Sequence, residues 1–279
     1  MFSWFKRKKE SQSSIATPQK PIFNDVVAQE ILKDIQKEFG LDYSKQEYIT
    51  MRKLERFSLK NGMYSFEELQ QQLHNSLACK QKLLNRLTIG ETYFYREITH
   101  LKLLVNLMKQ KKITRILSAP SSSGEEVYSI LLFLQEHFFQ TPNIEIIGID
   151  INSEAIELAK EALYSKRSIS FLPQNLLEKN FILQGNKYKV NPIFKKYTSF
   201  YTINIFDTQA LQTLGKFEII FCRNMLIYFN DEQKKEVLNN LKTLLVKDGI
   251  LFLGHADISF KPEGFKDIHT KEGTYFQLN

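Results

Sequence analysis

Hydrophobic residues recur at helical spacing from Asn24 onward: Val27, Ile31, Ile35 and Phe39 share one face, and Gly40 supplies a stop. Tyr48, Met51, Leu54 and Phe57 continue that period. Ser65 with Glu68 reads as a capping box ahead of Leu69 and Leu73, and Leu83, Leu84 and Leu87 mark a further helix. These segments predict an all-helical domain over residues 24–95. A helix carrying Leu101, Leu104, Val105 and Met108 leads into a second domain, 96–279.

At Ile113 the period changes. Residues 113–117 read as a short strand, 125–139 as a helix, 144–149 as a second strand ending at Asp150, and 153–163 as a helix capped by Asn152 or Ser153. Strand, helix, strand and helix at this spacing predict a parallel α/β sheet. Residues 199–203 and 217–222 are further strands. Asn230 and Gln233 make a capping box for a helix with Val237, Leu238, Leu241, Leu244 and Leu245 on its buried stripe. Asp248-Gly249 turns into strand 250–253, and 274–278 closes the sheet. Residues 165–198 break the alternation with a hairpin around Gly185-Asn186, a small antiparallel β insertion. It reads equally as a long connection or as a docking surface.

Composition narrows the class. The 279 residues, 43% apolar, suffice for two packed domains, and no apolar run approaches the roughly 20 residues needed to span a bilayer. A secretory signal is not expected from the start of the chain, and a cytoplasmic location is. Cys79 and Cys222 form neither a CxxC pair nor a Cys/His cluster, and the five histidines are scattered, so neither a disulfide framework nor a metal site is expected. The net charge of +7 is unevenly spread: Lys6, Arg7, Lys8, Lys9 and Lys20 against Glu10 give residues 1–20 a surplus of four, leaving three on the rest. A nearly balanced body argues against a nucleic-acid partner. Residues 1–23 read as a flexible basic tail and linker, either simply solvated or weakly associated with an anionic membrane surface through Phe2, Trp4 and Phe5.

Two apolar runs stop at polar clusters, Leu117-Ser-Ala-Pro-Ser-Ser-Ser-Gly-Glu-Glu126 and Ile220-Phe-Cys-Arg-Asn-Met-Leu-Ile-Tyr-Phe229. In open α/β sheets, ligands sit beyond the carboxyl ends of strands, so two such endings predict one shared site. The first loop has Gly124 as its single glycine and no Gly-Lys-Ser/Thr, so it is neither a dinucleotide fingerprint nor a phosphate-cradling loop. Glu125 and Glu126, taken alone, read as complements to a helix dipole. Asp150 at the next strand end shifts that reading, because an acid there is placed to accept from ribose hydroxyls. A small-residue loop, a strand-end acid and no diphosphate cradle favour a nucleoside without phosphates, and S-adenosylmethionine is the natural candidate. His255 and Cys222 read as a satisfied structural histidine and as core packing.

Five segments in order, Thr92-Tyr-Phe-Tyr-Arg-Glu97, Ser123-Gly-Glu-Glu-Val-Tyr-Ser129, Gly148-Ile-Asp150, Cys222-Arg-Asn224 with Ile227-Tyr-Phe229, and Leu251-Phe-Leu-Gly-His255, resemble the successive motifs of the CheR-type chemoreceptor glutamate O-methyltransferases. The resemblance implies a Rossmann-like class I methyltransferase domain behind an all-helical domain, with the β insertion belonging to the same architecture. It implies S-adenosylmethionine as methyl donor, S-adenosylhomocysteine as product, and glutamate side chains on the cytoplasmic helical domain of chemotaxis receptors as acceptors, modified by a monomer. Carried over residue by residue, it implies cofactor contacts at Gly90, Thr92, Arg96, Glu125, Glu126, Asp150, Asn204, Ile205, Arg223 and Asn224, and catalytic roles for Arg96 and Tyr228. Departures occur at Gly90, where some relatives have asparagine, at Pro120 and Ser121 in place of Gly-Cys or Ala-Cys, and at Ala256-Asp257 in place of Ser-Glu.

A glutamate carboxylate, with a reference pKa of about 4.3, is ionised at neutral pH, so such a reaction needs orientation and dehydration of the nucleophile more than a base. Arg96 is expected to grip the acceptor, and Tyr228 to support the sulfonium or steer the acceptor. Two other readings remain at this stage: a non-catalytic S-adenosylmethionine or S-adenosylhomocysteine sensor, and a methyltransferase with another acceptor.

Overall fold

The computed structural model describes residues 21–138, 143–257 and 260–279; the expected basic tail lies outside them. Helix α1 (Asp25–Phe39) starts where the Asn24 side chain accepts from Val26 N, and ends at Gly40 with φ 73°. A Cβ at Gly40 would overlap the Phe206 ring, so this glycine lets the helix end sit directly on the loop after a sheet strand. Helix α2 (Glu47–Lys60) buries Thr50, Leu54, Phe57 and Ser58. The predicted stripe is therefore rotated, and Tyr48 lies 75% exposed. Helices α3 (Phe66–Asn75) and α4 (Leu77–Leu87) complete the helical part. Ser65 caps α3 by accepting from Glu68 N at 3.2 Å, but the Glu68 carboxylate accepts from Tyr64 N, one residue before the expected partner. No helix among the described residues is long and apolar enough to cross a membrane.

Helix α5 (Ile98–Gln110) leads into a seven-stranded sheet of order β6-β2-β1-β7-β8-β10-β9. Its strands are β1 (Arg115–Ser118), β2 (Glu145–Asp150), β6 (Thr198–Thr202), β7 (Phe217–Cys222), β8 (Leu245–Leu253), β9 (Phe265–His269) and β10 (Thr274–Leu278). The first five are parallel, and β10 runs antiparallel to both β8 and β9. The order turns back at β1, whose neighbours are β2 and β7, and a crevice opens beyond the carboxyl ends of strands at such a switch point. Alternation divides the core into two layers. Leu117, Ile220 and Leu251 join helices α1–α4 and α10 (Asp231–Leu244), whereas Ile116, Ile219 and Phe252 join α5 and α6 (Glu125–His137). The helical part thus shares one apolar layer with the sheet.

Helix α7 (Ser153–Glu161) stops two residues short of expectation, where Ala162 takes the left-handed conformation (φ 57°). The freed residues make strand β3 (Leu163–Ser165), which pairs with β5 (Lys187–Val190). The predicted hairpin is present: β4 (Phe181–Gln184) turns at Gly185 (φ 61°) into β5 with Gln184 opposite Lys187. Short helix α8 (Gln174–Asn180) precedes it, and α9 (Thr208–Gln212) follows β6. The insertion is anchored through Phe94, whose ring meets Tyr164 and Phe181 edge-on at 4.9 and 5.4 Å. Phe94 lies within the Thr92–Glu97 segment, so the insertion also fixes one wall of the site.

Candidate active site

The loop after β1 is pinned by its backbone. Ala119 N donates to Phe221 O, Ser121 N to Ile149 O, and Ser122 N to Asp150 Oδ2 at 2.9 Å. The close approach to β2 requires Gly148, where a Cβ would stand 2.6 Å from the Phe200 ring and 2.8 Å from Ser121 Cβ. Asp150 Oδ1 accepts from Asn152 N at 2.8 Å. Burial pushes the Asp150 pKa up, and backbone donors at Asn152, Ser122 and Ile151 oppose that rise.

The loop after β7 turns at Asn224 (φ 57°) and is held by Asp257, which accepts from the backbone of Asn224 and, at 3.3 Å, of Ile227. The unusual Asp257 therefore has a definite task, folding this loop. Arg223 is buried: Nη1 donates to Glu126 Oε2 at 2.9 Å and Nη2 to Arg96 O at 2.6 Å, while Nε has no hydrogen-bond partner among the described residues. Ser118 Oγ donates to Glu126 Oε1 at 2.8 Å. Burial raises the Glu126 pKa in spite of Arg223 and Ser118. Tyr228 accepts from Asp42 N through its carbonyl at 3.0 Å, which ties this loop to the helical part.

Residues 90–97 form the third wall. Gly90 O accepts from Ser122 Oγ at 3.3 Å, and Tyr95 N donates to Ser129 Oγ at 3.0 Å. Tyr95 (φ 61°) and Glu97 (φ 50°) are both left-handed, so Arg96 projects from a turn flanked by two strained non-glycine residues, a cost characteristic of functional segments. Arg96 Nη1 donates to Glu91 O at 2.9 Å, and its guanidinium lies 5.7 Å from the centre of the Tyr93 ring.

These walls enclose a cleft of about 450 Å³. Gly90, Thr92, Arg96, Glu126, Asp150, Asn204, Ile205, Arg223, Asn224 and Tyr228 all line it. Glu125 does not: it is buried behind the loop, where its carboxylate accepts from Ser123 Oγ at 2.6 Å and burial raises its pKa. The side chain of Asn204 faces structural duties as well, donating to Glu38 O and accepting from Phe206 N. The sequence reading missed Leu41, Asp42, Tyr43, Lys45 and Gln46, which follow Gly40 into the cleft. Its signal was the helix stop itself, which ends α1 against the Phe206 loop.

The cleft fits S-adenosylmethionine. Asp150 waits at its floor, Ile151, Ile203, Ile205 and Phe229 supply apolar walls, and the Tyr43 and Ser121 hydroxyls are buried without a partner among the described residues. Lining the cleft, these two hydroxyls are free to meet a ligand's donors or acceptors.

Behind the cleft, His100 is 4% exposed beside Arg223 and Phe252. Burial and the Arg223 charge depress its pKa from 6.5 to about 4. Between these values the unfolded chain takes up a proton that the folded chain refuses, so this group makes stability fall as pH drops. Denaturant titrations are expected to show His100→Phe losing less unfolding free energy than the parent between pH 6.5 and pH 4, by up to a few kcal/mol. Parallel curves for the two proteins would refute a buried neutral histidine.

A family model described as "CheR methyltransferase, SAM binding domain" matches residues 90–274. A chemotaxis protein methyltransferase of Campylobacter jejuni (strain 81-176) is 36% identical over 250 residues, covering 89% of this chain and 94% of its own. Chemotaxis protein methyltransferase 2 of Vibrio cholerae is 37% identical over 187 residues, 63% of this chain and 65% of its own. The chemotaxis protein methyltransferase of Escherichia coli K12 is 31% identical over 183 residues, 63% and 64% of the two chains. The family match spans the sheet from β1 through β9, both strand-end loops and the Arg96 turn, and the Campylobacter match extends over 89% of the chain; the chain belongs to the CheR methyltransferase family.

Proposed function

We propose that the protein transfers the methyl group of S-adenosylmethionine to glutamate side-chain carboxylates on the cytoplasmic helical domain of chemoreceptors, forming glutamyl methyl esters in sensory adaptation. The observation that carries this reading is the Arg96 guanidinium, which lines the same cleft as Asp150 and Tyr228 and is partly exposed there. Its planar N–H groups suit a carboxylate.

When bound, S-adenosylmethionine supplies an electrophilic methyl group on a sulfonium sulfur. Asp150, the loop residues 119–122, Thr92, Glu126, Asn204 and Ile205, which line the cleft, would hold the donor. The acceptor carboxylate arrives ionised, so no residue of the cleft needs to remove a proton. Glu126 is already committed to Ser118 and Arg223. Arg96 orients the acceptor, and Ile89, Ile227 and Phe229 strip its water, which sharpens its reactivity. The Tyr228 ring offers a π-face to positive charge; burial raises its hydroxyl pKa while Arg96 opposes the rise, so it stays protonated at neutral pH.

Incubation with membranes carrying the native receptors and methyl-labelled S-adenosylmethionine is expected to place label on receptor glutamates. Mild base should release it as methanol. A folded protein that leaves the receptors unlabelled would overturn the proposal.

A further inference from the structure

Glu97 follows Arg96 directly and sits behind the cleft wall among groups from several elements. Its Oε2 lies 3.1 Å from His255 Nδ1, beyond the end of β8, and 3.4 Å from Arg223 Nε, beyond the end of β7. His100 Nδ1, on α5 itself, is 3.6 Å away. Glu126 of α6 faces the same Arg223. Burial pushes the Glu97 pKa up, but Arg223, His255 and His100 outweigh it and hold the carboxyl below its ordinary value. Glu97 is therefore a carboxylate here.

Arg223 grips this segment twice, through the Arg96 carbonyl and beside the Glu97 carboxylate. The same carboxylate oxygen lies against His255 Nδ1, within ion-pair distance though outside hydrogen-bond geometry, and His255 stacks on His100 with ring centres 6.0 Å apart. His255 does not line the cleft, and its side chain is 73% exposed. A surface histidine that only filled space would need no such partner. The residue it touches has φ 50° and forms one flank of the turn that projects Arg96. Such a conformation persists only where its surroundings over-determine it.

We propose that His255 is a positioning residue for methyl transfer: by holding the Glu97 carboxylate, it fixes the turn that presents Arg96 to the acceptor. The inference rests on the reading of Arg96 as the group that grips the acceptor carboxylate. Without His255, the Glu97 carboxylate is held from the Arg223 side, and the Arg96 guanidinium loses its fixed direction.

The test is steady-state methyl transfer to receptor membranes by the full chain, with His255→Ala and His255→Asn, together with calorimetry of S-adenosylmethionine binding. His255→Ala is expected to lower kcat/KM for the receptor by about tenfold, below the roughly hundredfold that a 1 Å misplacement can cost. Its affinity for S-adenosylmethionine should stay within about twofold of the parent, the spread expected for independent sites. His255→Asn, whose amide nitrogen can replace Nδ1, is expected to restore most of the activity. In an Arg96→Ala background, His255→Ala should cost nothing further, because its effect runs through that side chain. The inference is overturned by unchanged kcat/KM in His255→Ala, by an equal loss of cofactor affinity, by failure of the Asn variant to recover, or by a full additional loss in the Arg96→Ala background. A parent protein that makes no methyl ester while binding S-adenosylmethionine overturns the functional reading itself, and this inference with it.

Discussion

Arg96→Ala is expected to lower kcat/KM for receptor methylation by about a hundredfold to a thousandfold while S-adenosylmethionine binding weakens by no more than about tenfold. The asymmetry follows from what the side chain touches. Within the described residues it spends one N–H on Glu91 O and rests against Tyr93, leaving the rest of the guanidinium facing the cleft. A charge-assisted hydrogen bond to a carboxylate contributes about 1.5–3 kcal/mol, and fixing the attacking oxygen in line with the donor adds an orientational part. Arg96→Lys should fall between parent and Ala, since an ammonium keeps the charge without the planar fork. Single-turnover kinetics with calorimetry on the same samples separates the two effects. Receptor turnover in Arg96→Ala equal to that of the parent would remove Arg96 from the acceptor site. Equal, large losses in both measurements would make it a cofactor ligand alone.

The sheet was legible because its strands are short apolar runs ending at polar clusters, and because α10 carries its own capping box, which the structure reproduces in both halves. Strand β9 was not: Phe265–His269 is an edge strand with no buried residue, so it lacks the apolar run by which strands are recognised. The same limit explains α2. Tyr48 fits the apolar period but is exposed, and the polar Thr50 and Ser58 occupy the buried face by donating their hydroxyls to Gln46 O and Leu54 O. Periodicity reads side-chain type, and here the backbone satisfied the hydroxyls.

For the site, the strand-end position of Asp150 and the family resemblance at Arg96 and Tyr228 pointed to residues that line one cleft, yet neither could separate adjacent residues with the same chemistry. Glu125 and Glu126 are neighbours on the first turn of α6, 100° apart on an ideal helix, and only the second reaches the cleft. His255 and Asp257 show the converse. His255 read as a satisfied structural histidine and Asp257 as a departure from the family pattern, with no task for either, because the neighbour of each, Glu97 or the Asn224 backbone, comes from a different part of the sequence. Long-range polar pairing has no periodic signature.

Asp150→Ala is expected to weaken S-adenosylmethionine binding by about a hundredfold or more. A carboxylate offers about four acceptor sites; here Asn152 N donates to Oδ1 and Ser122 N to Oδ2, with Ile151 N also acting on this carboxyl. The acceptor capacity left over suits ribose hydroxyls. Hydrogen bonds to a charged group contribute about 1.5–3 kcal/mol apiece, so losing two accounts for a hundredfold with allowance for the water that replaces them. The substitution also releases Ser122 from its left-handed geometry (φ 47°), loosening the loop on which the donor rests. Asp150→Asn is informative because it is nearly isosteric: whichever way the amide turns, its NH2 meets a backbone N–H on one side, so either the Ser122 or the Asn152 bond is lost. Its affinity should therefore drop by about tenfold or more in spite of the retained shape. Thermal unfolding with and without saturating S-adenosylmethionine provides the control, since a protein that binds ligand only when folded gains stability in proportion to RT ln(1 + [L]/Kd). The parent should show a ligand-induced rise in Tm that shrinks in Asp150→Asn and shrinks further, to a small remainder, in Asp150→Ala at the same concentration. A rise of equal size in all three would mean that the floor of the cleft does not hold the donor through this carboxylate.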